Sequence, residues 1–199
     1  MDHLRRENFM KINAILMASG LSERMGQNKL MLDFKGKKIY EHTLDLLESL
    51  DFDKVIVASS YEEILEDAKN RGFISLENDN NAIGKSSSIK LGVEASDEDS
   101  AMMFFVADQP LLTKETCQKL IASFKENPQM TYPVVGLRRG APVIFPPSFR
   151  DKLLSLKEDQ GGMIFAKDNP TNKVEIGSED ELLDIDTIEA YEKLRHDHE

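Results

Sequence analysis

A chain of 199 residues is long enough to bury one substantial core and short for two, so one α/β domain is the first expectation. Hydrophobic residues at 40% and charged residues at 31% are ordinary for a folded globular chain, and no apolar run approaches the roughly 20 residues of a membrane helix. A formal net charge of −11 argues against nucleic-acid binding, because an acidic surface repels the phosphate backbone, so any phosphate site must be a local basic island.

Residues 1–10 are polar, show no secretory pattern, and read as a frayed leader, which makes the cytoplasm the expected compartment. Residues 11–17 form the first strand. The apolar run through Met17 and Ala18 passes at once into Ser19, Gly20, Ser22, Arg24, Met25, Gly26 and Lys29, a pattern of the form G-x-S-x-R-M-G-x-x-K. A buried strand opening into small residues and cations suits a phosphate pocket lined by backbone N–H groups. A nucleoside triphosphate carries about −4, and Arg24, Lys29 and a helix terminus supply roughly +2.5, so a divalent metal and a carboxylate to hold it are called for. The same residues taken alone are equally read as a glycine turn with solvated charges. They fit neither the dinucleotide pattern G-x-G-x-x-G nor the P-loop.

Leu30, Leu32 and Phe34 alternate before a turn at Gly36, and Leu44, Leu47 and Leu50 give a helix over 40–50. A β-branched strand at 54–59, an amphipathic helix at 61–70 ended by Arg71-Gly72, a strand at 73–76, a polar loop at 77–83 and a helix at 85–95 follow. Gly84-Lys85-Ser86 has the look of a P-loop ending, but Asp79 stands where its first glycine belongs, and Ser86, Ser87 and Ser88 are explained by helix capping. Residues 101–107 are the most apolar run and read as a central strand ending in Asp108-Gln109-Pro110. The carboxyl edge of such strands lines the ligand crevice, so Asp108 emerges beside the first loop and can supply the metal carboxylate, unless it is a turn aspartate.

A helix at 113–126 leads to segments 131–135 and 141–145, an expected antiparallel pair around a basic turn with Arg138 and Arg139. A helix at 148–156 and a loop at 158–162 opening another helix follow, then a strand-like run at 182–185. Asp186 or Thr187 caps the terminal helix at 188–195, leaving 196–199 as a mobile tail. Cys117 lies at helical spacing among Leu120 and Ile121 and reads as core. The four histidines lack metal-ligand spacing, and no nucleophilic triad is visible. The order of elements gives a three-layer α/β/α, Rossmann-like domain over 11–195 with a mainly parallel sheet and a small antiparallel extension.

The first loop resembles the signature of the molybdenum-cofactor nucleotidyltransferases, the MobA-like group. Within it, Ala18-Ser19-Gly20 and Gln27 after Gly26 look more like the cytidylyl than the guanylyl branch. Gly84, Ser88 and Gly92, spaced G-x-x-x-S-x-x-x-G, resemble a second family element, with Asn78 where the cytidylyl branch carries a nucleotide-side asparagine. Asp-Gln-Pro from Asp108 resembles the metal-holding element, Arg139, Gly140 and Pro142 the pterin-side segment, and Asp184-Ile185-Asp186-Thr187 the closing motif whose carboxylate reaches the metal. Asp159 and Gly161 match the cytidylyl acceptor loop, although Met163 stands where arginine is expected.

The resemblance implies transfer of CMP from CTP to the phosphate of molybdopterin with release of pyrophosphate, in maturation of molybdenum hydroxylases. It implies catalysis by Arg24, Lys29 and Asp108, and Mg²⁺ on Asp108 with Asp186 or Asp184. Nucleotide binding falls to Met17, Ala18, Ser19, Gly20, Ser22, Arg24, Met25, Gly26, Lys29, Asn78 and Ser88. The acceptor side falls to Arg139, Gly140, Pro142, Asp159 and Gly161, and a hydroxylase apoprotein is the implied protein partner. Guanylyl transfer, cytidylyl transfer to a sugar or alcohol phosphate, and a non-catalytic cofactor chaperone stand as alternatives.

Overall fold

In the computed structural model, residues 10–20 and 26–198 are described. Strand β1 (Ile12–Ala18) is buried along all its length except Met17. A 3-10 turn at Lys29–Met31 and a two-residue hairpin, β2 (Asp33–Phe34) with β3 (Lys37–Lys38), replace the single extended segment expected there. Then come α1 (Ile39–Glu48), β4 (Lys54–Ser59), α2 (Glu62–Asn70), β5 (Ile74–Glu77), α3 (Lys85–Ala95), β6 (Ala101–Val106) and α4 (Lys114–Glu126). The last third holds β7 (Met130–Val135), β8 (Arg138–Arg139), β9 (Val143–Phe145), α5 (Arg150–Leu154), β10 (Thr171–Glu175) and α6 (Ile188–His198).

The main sheet runs β10-β7-β9-β6-β1-β4-β5, with β8 paired to β7. Neighbours are parallel except β9, which runs against both β6 and β7, and the short β8. The antiparallel element is therefore an interior strand as well as a hairpin at Arg138–Arg139. Alternation along the strands divides the core. Ala14 and Leu16 of β1 face Leu44, Leu47, Ile64, Leu120, Phe124 and Leu194 of α1, α2, α4 and α6. Ile15 faces Ile89, Val93 and Leu153 of α3 and α5 on the other side. The result is three layers, α/β/α, as the order of elements implies.

Three expectations are corrected. Residues 182–185 do not join the sheet: Glu179–Leu182 is a 3-10 turn, and the segment beyond is tied to the end of β6 by the Ile185 N–H, which donates to the carbonyl of Asp108 at 3.2 Å. The segment ends at α6, which runs three residues past 195 to His198, so residues 196–198 are helical. Strand β10 was not foreseen, because its Thr-Asn-Lys-Val-Glu sequence lies half-buried at a sheet edge and lacks an apolar run. Among the described residues no helix is long and apolar enough to cross a membrane.

The topology positions the site. Met17 of β1 pairs in register with Val106 of β6, so the residues after both strands emerge together at the carboxyl edge. Helix α3 lies so close to β1 that a Cβ on Gly92 would overlap the Ile15 side chain. Leucine favours helices, so any loss on Gly92→Leu measures this contact, and it should destabilise the fold by about 1–3 kcal/mol. Chemical denaturation with an unchanged midpoint would contradict that packing.

Candidate active site

The carboxyl edge of β1 and β6 opens into a cleft of about 710 Å³. Of the residues singled out in the sequence, Met17, Ala18, Ser19, Gly20, Lys29, Ser88, Asp108, Gly140, Asp159, Gly161, Asp184 and Asp186 line it. Asn78, Gly26, Arg139 and Pro142 are not part of that lining. Ser22, Arg24 and Met25 lie outside the described residues.

Lys29 stands at the centre. The Asn28 side chain caps its 3-10 turn by accepting from the Leu30 N–H, and Leu30 is buried, which fixes the backbone at 29. The Lys29 ammonium donates to Asp108 Oδ2 at 2.5 Å and to Asp186 Oδ1 at 2.9 Å. Burial alone would lower its pKa, but the charge and hydrogen bond of Asp108, followed by those of Asp186, outweigh burial and raise it. The pair is well shielded, with side chains of Lys29 and Asp108 only 12% and 16% exposed, whereas Asp186 is 47% exposed.

The segment around Ile185 delivers Asp186 and one further carboxylate, Asp184. Thr187 caps α6 by accepting from the Ala190 N–H at 3.1 Å, so capping does not use Asp186. Asp184 accepts from Gln109 Nε2 at 2.8 Å. The surrounding cleft wall, and after it the negative charge of Asp108, push its carboxyl up to about 6. Among the described residues no group of three or more His, Cys, Asp or Glu side chains forms a ready metal cage. Asp108 and Asp186 nevertheless reach the same ammonium, and two hard oxygen ligands completed by phosphate oxygens and water suit Mg²⁺.

The first loop is held from β4. Ser19 Oγ donates to the carbonyl of Ala58 at 3.1 Å, and Ser59 Oγ donates back to the carbonyl of Ala18 at 2.8 Å. The Tyr61 hydroxyl donates to the carbonyl of Gly20 at 2.7 Å. The Ser19 hydroxyl is thus spent on the fold, leaving its backbone to face the cleft. Ser59 and Tyr61 escape sequence reasoning as site residues. The clue was their position at the carboxyl end of a second buried strand, which in a parallel sheet lies beside the first loop.

Asn78 sits one layer behind the surface. Only 1% exposed, it donates to the hydroxyls of Ser87 and Ser88 at 3.0 and 2.9 Å and accepts from the Asn80 N–H at 3.1 Å. It orients Ser88, which faces the cleft. At Gly84, with φ of +113°, a Cβ would overlap the Asp159 carboxylate and the Glu158 backbone, and the Ser86 N–H donates to the Glu158 carbonyl at 3.0 Å. The turn before α3 is therefore docked on the loop at 158–161. Arg139 is exposed at the β8 turn, while Arg138 donates to the carbonyl of Leu182 at 2.9 Å. Ile89, Phe104, Val143, Phe145 and Leu153 make one wall of the cleft apolar, suited to a flat ring. Cys117 is buried, its thiol pushed up to about 12 by burial, and it takes no part.

A mainly parallel α/β/α sheet with a small-residue loop, a lysine and carboxylates at its carboxyl edge defines a Rossmann-like nucleotidyltransferase fold. Residues 14–173 match the MobA-like NTP transferase domain, and the chain belongs to that family. Rv0371c from Mycobacterium tuberculosis shares the fold at TM-score 0.79, with 19% identity over 94% of this chain and 99% of that one. The chain is 30% identical over 119 residues to a Natranaerobius thermophilus protein named as a probable molybdenum cofactor guanylyltransferase, covering 58% of this chain and 56% of that protein. It is 28% identical to the Bacillus subtilis purine catabolism protein PucB over 91% of this chain and 94% of that one. The matched stretch thus spans little more than half of the guanylyltransferase relative.

Lys29→Met should cost about 1–3 kcal/mol, because it leaves the shielded Asp108 carboxylate without its counter-charge. Adding Asp108→Asn should restore most of that loss. Denaturation midpoints report both, and a Lys29→Met protein as stable as the parent would show that the ion pair carries no net weight.

Proposed function

We propose that this protein transfers CMP from CTP to the phosphate of molybdenum cofactor and releases pyrophosphate. The observation that carries the reading is the convergence of Lys29, Asp108 and Asp186 at the mouth of the first loop. That is where a triphosphate held by backbone N–H groups would put its charge. An acceptor phosphate oxygen attacks the α-phosphorus in line. The new P–O bond forms as the bond to the bridging oxygen breaks, and the electron pair leaves with pyrophosphate. No covalent enzyme intermediate is needed, so the protein contributes alignment and charge stabilisation.

In this scheme the backbone from Ala18 to Gly20 cradles the phosphates. Lys29 meets the charge that develops on the departing pyrophosphate, and Ser88, oriented by Asn78, faces the nucleoside. Asp108 and Asp186 would hold a divalent cation, which when bound neutralises phosphate oxygens. A manganese complex of Rv0371c, a protein sharing the fold at TM-score 0.77, supports that choice of ion. The apolar wall receives a flat ring, and Gly140, Asp159 and Gly161 border the acceptor. A molybdenum hydroxylase apoprotein is the proposed recipient of the product.

CTP as donor is supported by Ala18-Ser19-Gly20, which resembles the cytidylyl Ala-Ala-Gly more than the guanylyl Gly-Gly, by Gln27 where the guanylyl branch tends to have a second glycine, and by Asn78. The guanylyltransferase name of the Natranaerobius relative favours a second reading, with GTP as donor. Pyrophosphate release measured with CTP, GTP and ATP, each with and without molybdenum cofactor, decides between them. The expected result is acceptor-dependent release with CTP. Release with GTP alone moves the protein to the second reading, and cofactor binding without release from any nucleotide makes it a carrier. Asp108→Asn should lower turnover about 10²-fold or more and raise the Mg²⁺ concentration needed for half-activity. An unaltered Mg²⁺ requirement would make Asp108 a turn residue.

A further inference from the structure

Two anionic substrates have to enter a cleft whose described lining carries four carboxylates, Asp108, Asp159, Asp184 and Asp186, and only two ammonium groups, Lys29 and Lys85. Lys29 is engaged by Asp108 and Asp186. Lys85 is exposed, and its ammonium has no hydrogen-bond or ion-pair partner among the described residues. Its backbone is nevertheless firmly placed. Gly84 before it abuts the Glu158 backbone and the Asp159 carboxylate, and Ser86 after it bonds the Glu158 carbonyl at 3.0 Å. Lys85 therefore rises from the edge that is docked on the loop at 158–161, while Lys29 and Asp108 belong to the edge formed by β1 and β6.

On that side of the cleft the neighbouring charged group is the Asp159 carboxylate, and Met163, further along the same wall, brings no charge. A phosphate monoester carries about −1.5 to −2 near neutral pH and would be repelled there without a cation. We propose that Lys85 binds the terminal phosphate of the acceptor. The inference rests on the reading of the site as a nucleotidyltransferase whose acceptor is a phosphate ester. It divides the labour between two lysines: Lys29 serves the leaving pyrophosphate and Lys85 the incoming nucleophile. A third neighbouring lysine, Lys90, is turned to another surface groove, with Asn78, Ser86 and Glu94, and does not compete for this role.

The test is steady-state pyrophosphate release by the full chain with molybdenum cofactor as acceptor, comparing wild type, Lys85→Met and Lys85→Arg. Position 85 is exposed at the first turn of α3, and thermal melts of all three proteins should coincide. Lys85→Met should raise the acceptor KM tenfold or more and leave the nucleotide KM within twofold. Lys85→Arg should recover most of the acceptor affinity, since it keeps the charge. The acceptor KM of wild type should also rise with salt more steeply than that of Lys85→Met. An unchanged acceptor KM in Lys85→Met, or a rise confined to the nucleotide KM, overturns the assignment while leaving the enzyme reading intact. Absence of acceptor-dependent release from wild type overturns that reading itself, and this inference with it.

Discussion

An ammonium held between two carboxylates at the end of a parallel sheet is the constraint around which the rest of this molecule is arranged. Lys29 lies 79 positions from Asp108 and 157 from Asp186, so three distant segments must be brought to one point. Adjacent parallel strands accomplish the first part, because β1 and β6 release their chains at the same edge. The backbone bond from Ile185 to Asp108 accomplishes the second by laying the closing segment across the end of β6. A lysine this shielded is stable only with its partners in place, and the shielded Asp108 carboxylate equally needs a cation. On the proposed function, a triphosphate with its divalent ion offers both parties new partners, so the resting ion cluster and the loaded site are two satisfied arrangements of the same groups.

The cleft divides by chemistry along the same lines. Its β1 and β6 edge is polar and held rigid, with Ser59 and Tyr61 fixing the carbonyls of Ala18 and Gly20 so that the loop backbone keeps its shape. Its other wall, from Ile89 to Phe145 and Leu153, is apolar. The buried state of Asn78 bears on donor choice. Both polar atoms of its side chain are already bonded to Ser87, Ser88 or Asn80, so on the proposed function its effect on a base would pass through the Ser88 hydroxyl.

Much of this was legible in the sequence, where burial leaves a strong pattern. Residues 101–107 and 55–58 are apolar because interior strands covered on both faces must be. The place of Asp108 at the carboxyl edge was legible because it directly follows such a strand, whereas its separation from a plain turn aspartate came from the resemblance of Asp-Gln-Pro to the family's element. The half-buried edge strand β10 was not, since its stability comes from pairing and from Asn172, which donates to the Asn127 carbonyl at 2.7 Å. Ser59 and Tyr61 were missed because their role appears only once β4 is known to lie beside β1. The resemblance put Arg139 on the acceptor side, whereas its charge fitted an exposed basic turn equally well; in the fold Arg139 is exposed and Arg138 is spent on the Leu182 carbonyl. Side-chain identity told what each residue could do, and the pairing of strands decided which of them share a site.

The most direct test of the central claim is a crystal structure with a non-hydrolysable CTP analogue and manganese. The expected result is the triphosphate against the Ala18–Gly20 backbone, the Lys29 ammonium on a phosphate oxygen, and anomalous signal from manganese beside Asp108 and Asp186. A triphosphate bound outside this cleft, or Lys29 still bridging both carboxylates with no anomalous signal there, would contradict it.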